Sequence, residues 1–153
     1  MSNSNYLWPG ALAGAVAGIV MAASMMGYML VRQQSVWTNP NLIAVMWMGP
    51  EAATAGFGIA TIVGFATHMA ASVLMGMMGI LFIADLPRGR TVLAALAYAL
   101  GSYPVAIAFV MTWANPLFVE RTQVVPMTMA HIVFGLVYGW TFLALVGRSD
   151  RRS

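Results

Sequence analysis

Residues 57–84 read FGIATIVGFATHMAASVLMGMMGILFIA, with no Asp, Glu, Lys or Arg among them. A helix crosses the hydrocarbon core of a bilayer with roughly 20 apolar residues, and this stretch exceeds that length. It lacks the polar–apolar alternation of a barrel strand. Ala, Leu, Met and Gly dominate, so it predicts a transmembrane helix. The same pattern recurs at about 6–31, 91–113 and 126–147. The first of these runs opens with Trp8-Pro9 and ends at Arg32. No basic residue precedes it, and it is longer than the roughly 7–15-residue core of a secretory signal, so it reads as a retained helix. The expected fold class is all-α membrane: a four-transmembrane-helix bundle forming a single integral membrane domain over 1–153.

Composition supports that class independently. Hydrophobic residues make up 61% of the chain and charged residues 7%, with a mean hydropathy of +0.82. A soluble domain carries about a quarter charged residues to solvate its surface, so this surface must meet lipid or other apolar helices. Lysine is absent, and seven arginines against four carboxylates give a net charge of +3. The arginines fall at segment ends rather than in a patch, which reads as membrane orientation and not as nucleic-acid binding. With no cysteine, disulfides, thiolate metal sites, iron–sulfur clusters and covalent haem attachment are excluded.

Orientation follows from the arginines. Arg88 and Arg90 lie in the second connection and Arg148, Arg151 and Arg152 in the tail, whereas the opposite side holds Arg32 and Arg121. Basic residues favour the cytoplasmic side, so a multi-pass cell-membrane protein with cytoplasmic N- and C-termini is expected. In the long first outer connection, Asn39-Pro40 has the form of an N-cap with proline at the first helical position. A short interfacial helix over 40–48, stopped by Gly49-Pro50, would set Trp37 and Trp47 at headgroup depth. A structured loop covering the bundle is the other reading. Trp8 and Trp113 have the places of ordinary belt residues. Pro104, inside the third run, predicts a kink or opening near Leu100.

Small residues recur at four-residue spacing in Gly10-Gly14-Gly18, in Gly64-His68-Ser72-Gly76 and in His131-Gly135-Gly139. Such rows let backbones approach closely, either within the bundle or against a second copy or a larger membrane complex. Fourteen methionines raise a Cu(I) reading, since thioether sulfur is a soft ligand. Met21, Met25 and Met29 share a face, but Met75, Met77 and Met78 point apart, and apolar packing is the simpler account.

The chain has two histidines, both inside apolar runs. His68 precedes Asp85 by 17 residues and His131 precedes Arg148 by 17. At about 1.5 Å per residue, both sit some 25 Å from the same boundary. Matching small residues follow each, which predicts two helix-pair repeats related by an axis along the membrane normal. With Gly10-Gly14-Gly18, His68-Ser72-Gly76 and His131-Gly135-Gly139, the chain resembles a loose group of uncharacterised small four-helix membrane proteins of bacteria and archaea. That resemblance implies the fold and no activity.

Level histidines have three readings. As cofactor-binding residues, His68 and His131 would hold a b-type haem between two imidazoles, with Arg32 and Arg121 at propionate height. A metal ion held by imidazoles alone would lack ligands. As intramembrane ionisable groups they would take another ligand or a proton role, and as structural groups the rings would hydrogen-bond across helices. No carboxylate or lysine lies within the runs and no nucleophile–base grouping appears, so no catalytic residue is expected. The expected function is a small non-catalytic membrane subunit working in the lipid bilayer, with a haem electron carrier and a small transporter or channel as alternatives.

Overall fold

The computed structural model describes residues 4–149, and the side chains of 6–147. The elements are α1 (Ser4–Val31), α2 (Thr38–Met48), a 3₁₀ turn (Pro50–Thr54), α3 (Ile59–Ile83), α4 (Arg88–Val105), a π-helical segment (Ala106–Met111), a short turn (Thr112–Ala114), α5 (Pro116–Arg121) and α6 (Val124–Ser149). No strand occurs among the described residues. Four spans are long and apolar enough to cross a membrane: Tyr6–Val31, Ile59–Ile83, Arg88–Ala114 and Val124–Gly147. The third begins at Arg88 instead of residue 91, because Pro87 closes the preceding turn and its carbonyl accepts the first helical bonds from Arg90 and Thr91. The chain is an all-α four-helix membrane bundle.

Packing sets the order of the helices. α1 lies between α3 and α6, and α6 lies between α1 and α4, while α3 and α4 meet only sparsely. The α1–α3 seam is made of small residues. A Cβ added at Gly14 would fall against the Ser72 carbonyl oxygen and 2.8 Å from the Gly76 Cα. The α4–α6 seam has the same character, since a Cβ at Gly135 would lie 2.7 Å from the Leu96 Cα and one at Gly139 2.9 Å from the Val92 Cα. Backbones this close gain dispersion contacts that a lipid tail cannot match. At one end of the bundle Ala13, Ala17, Ile80, Ile83, Ala95 and Ala99 surround Phe134, Tyr138 and Phe142. Tyr138 is fully buried, and its hydroxyl donates to the Gly76 carbonyl at 2.7 Å. Tyr98 likewise donates to Met75 O at 3.0 Å, tying α4 to α3.

The other end is closed by the connections. α2 starts two residues before the predicted position, and Asn39 does not cap it; the N-cap is Trp37, without a side-chain bond. Pro40 is tolerated one turn in because the first four helical N–H groups have no partner within the helix. α2 presses so closely on α3 that a Cβ on Gly64 would overlap the Pro40 carbonyl oxygen. Pro40, Asn41, Leu42 and Ala44 are buried against the bundle, while Trp47 and Met48 are exposed. Covering helix and surface helix are therefore the two faces of one element. Trp47 also donates its indole N–H to Thr67 Oγ1 at 2.9 Å. Trp8 and Trp113, 75% and 86% exposed, project away from the bundle as belt residues do.

Two buried asparagines lock this end. Asn41 donates to the Ala55 and Gly56 carbonyls and accepts from Thr61 Oγ1 at 2.7 Å. Asn115 donates to Leu42 O at 2.8 Å and accepts from the Phe118 N–H at 3.0 Å, capping α5 and binding it to α2. Every such bond satisfies a polar group that would otherwise be costly to bury.

Candidate functional site

Where α3 and α4 part, the bundle forms a partly open cavity of about 190 Å³. Asn39, Pro40 and Ile43 of α2 roof it, together with Phe118 of α5. Ser72, Met75 and Phe134 form its floor, where the tightly packed end of the bundle begins. One wall is the π-helical segment, through Ala106, Ile107 and Met111. That segment lies beyond Pro104, not near Leu100 where the sequence placed the irregularity. The Ala106 N–H bonds both Ser102 O and Tyr103 O, and the Thr112 N–H reaches back five residues to Ile107 O. The helix register therefore slips after the proline, and the widened turn is the part that faces the cavity.

His68 and His131 line this same cavity, on α3 and α6. His68 Nε2 lies 3.0 Å from Gly18 O on α1. A carbonyl only accepts, so Nε2 carries the proton and Nδ1 the lone pair. The His131 ring has the opposite tautomer: Nδ1 donates to Met127 O at 2.9 Å, one helical turn earlier, and Nε2 keeps its lone pair. Tyr103 of α4 packs its ring on His131, with centroids 4.8 Å apart. Above them, Asn39 Nδ2 is buried and has no hydrogen-bond partner, alone in this among the described residues.

This geometry bears on each sequence reading. Both rings turn into the bundle and not toward lipid. Two axial imidazoles on one iron would each need a free ring nitrogen; His68 keeps Nδ1, its Nε2 being held on Gly18 O, and His131 keeps Nε2. Arg32 and Arg121, considered for propionates, are exposed and do not line the cavity. No group of three or more His, Cys, Asp or Glu side chains occurs among the described residues. What the cavity offers is a mostly apolar lining interrupted by the two imidazoles, with lone pairs at His131 Nε2 and His68 Nδ1, and by Thr67, Ser72 and Tyr103. An apolar cavity of about 150 Å³ suffices for a benzene-sized guest, so this one has room for a small molecule or ion.

Sequence reasoning found the histidines by their matched spacing and missed Asn39, Tyr103 and the π wall. Asn39-Pro40 was visible, but as a cap signal. Pro104 was visible too, yet nothing in the sequence told that the slip would come after it and open inward. No family model, curated protein or solved structure matches the chain.

Proposed function

We propose that this chain is a small non-catalytic membrane protein that holds a small ligand in an intramembrane cavity. One observation carries the reading: the two histidines, distant in sequence, line a single apolar cavity roofed by α2. Ionisable side chains are expensive within the bilayer and are placed there for a use. Ligand sites in helix bundles are built from inward side chains on facing helices, apolar overall with a few polar groups that orient the guest. Here those groups are the two imidazoles, whose His131 Nε2 and His68 Nδ1 lone pairs accept. The protein sits in the cell membrane with both termini in the cytoplasm. Arg88 and Arg90, exposed at the start of α4, support that orientation; the arginines of the tail lie outside the described side chains. A subunit role in a larger complex remains compatible with this site, since the cavity lies inside the chain.

Phenol, an apolar ring with one hydroxyl, is a suitable probe. In detergent-solubilised protein, saturation-transfer NMR should detect phenol bound to the wild type. Ala106→Phe, which places a ring where the π segment lines the cavity, should abolish the signal at unchanged helicity. Equal transfer in both proteins would mean that phenol only partitions into the detergent shell, and would overturn the reading.

A further inference from the structure

The cavity wall is rich in one residue type. Six of its 21 lining residues are methionines, against 14 of 153 in the whole chain, so the wall is about threefold enriched. They converge from four elements: Met21, Met25 and Met26 from α1, Met75 from α3, Met111 from the π segment and Met127 from α6. Packing alone would be served by leucine or isoleucine. Thioethers add a soft, polarisable lone pair and three rotatable bonds with which to bring it to a point.

We propose that the cavity binds one Cu(I) ion, through His131 Nε2 and methionine thioethers of the wall, Met127 among them. This deepens the ligand-holding reading and rests on it. His131 has the posture of a metal ligand: its Nδ1–H is fixed on Met127 O, which sets the tautomer and leaves Nε2 as the donor atom. Met127 stands four residues before His131, on the same helix face, and also lines the cavity.

The charge of the lining selects the metal. No Asp, Glu or Arg lines the cavity, so every available ligand is neutral. A divalent ion would keep two uncompensated charges in a low-dielectric interior. Zinc sites are built largely on thiolates, imidazoles and carboxylates, and calcium and magnesium take oxygen ligands. Cu(I) carries a single charge, and thioether with imidazole is a ligand set that suits it. No electron transfer is invoked; the metal enters and stays as Cu(I).

The test is an anaerobic titration of the full-length chain in detergent with Cu(I) held by the chromogenic chelator bicinchoninate. The wild type should withdraw one Cu(I) per chain, and Zn²⁺ should not compete. Loss of a direct ligand should exceed the roughly 10–100-fold typical of its supporting groups, so His131→Ala should weaken binding by on the order of 100-fold. Met127→Leu preserves volume and fold and should also weaken binding, whereas Met78→Leu, exposed and outside the cavity, should not. Copper left entirely with the chelator, or binding unchanged in both His131→Ala and Met127→Leu, would overturn the proposal. Phenol binding read in the same preparations separates the two levels. If phenol binds and copper does not, the Cu(I) assignment alone falls; if neither binds, the cavity reading falls with it.

Discussion

Replacing Gly14 with alanine forces two backbones apart. The new methyl would lie against the Ser72 carbonyl oxygen, 2.8 Å from the Gly76 Cα and 3.0 Å from the Gly76 nitrogen. Carbon atoms sit comfortably about 3.5–4.0 Å apart. The obstructing atoms are backbone, so no rotamer change relieves them, and α1 and α3 must separate by roughly 1 Å along the seam. Overpacking of this kind costs about 1–3 kcal/mol. Alanine's better helix propensity offsets up to about 1 kcal/mol of that. A net loss of roughly 1–2 kcal/mol is expected. Gly27 is the control, because nothing lies within 4 Å of a Cβ added there. Gly27→Ala should leave stability unchanged or raise it. Both variants are compared by unfolding in mixed micelles with increasing SDS, read by circular dichroism. If Gly14→Ala unfolds at the same SDS fraction as the wild type, the seam is not held by close backbone approach.

Tyr138→Phe removes the hydroxyl that donates to the Gly76 carbonyl and keeps the ring; the same unfolding assay should show a loss of about 0.6–2 kcal/mol. Asn115→Ala leaves Leu42 O and the Phe118 N–H without their partner. It should cost about 1–3 kcal/mol and speed amide exchange in α2 and α5, with exchange in the buried part of α6 unchanged. Reporter fusions after Gly89 and after Ser153 should both report the cytoplasm, and an external signal at either site would overturn the orientation.

The four spans were legible because hydropathy is a local property. Each of 57–84, 91–113 and 126–147 exceeds the length a bilayer demands, whatever its neighbours do. The same holds for the small-residue rows, which follow from the 3.6-residue period. The histidines' equal distance from the charged ends of their runs was legible by counting residues. Their meeting was not, because depth says nothing of the direction in which a ring points.

Tertiary structure alone decided the rest. Asn39 read as a cap, yet the α2 start falls at Thr38, with Trp37 packed on Phe57 at 4.8 Å and Pro40 pressed on Gly64. Local preference lost to packing. Six methionines spread from residue 21 to residue 127 carry no common spacing; they form one wall only because α3 and α4 diverge while α1 and α6 stay in contact. The sequence by itself therefore determined what crosses the membrane, since burying apolar length is a one-dimensional requirement. Where the helices part, and which side chains face the gap, depends on pairwise contacts between distant segments. Those are set by the close backbone approaches of Gly14 to Gly76 and of Gly135 to Leu96, which close two seams and leave the space beside His131 open.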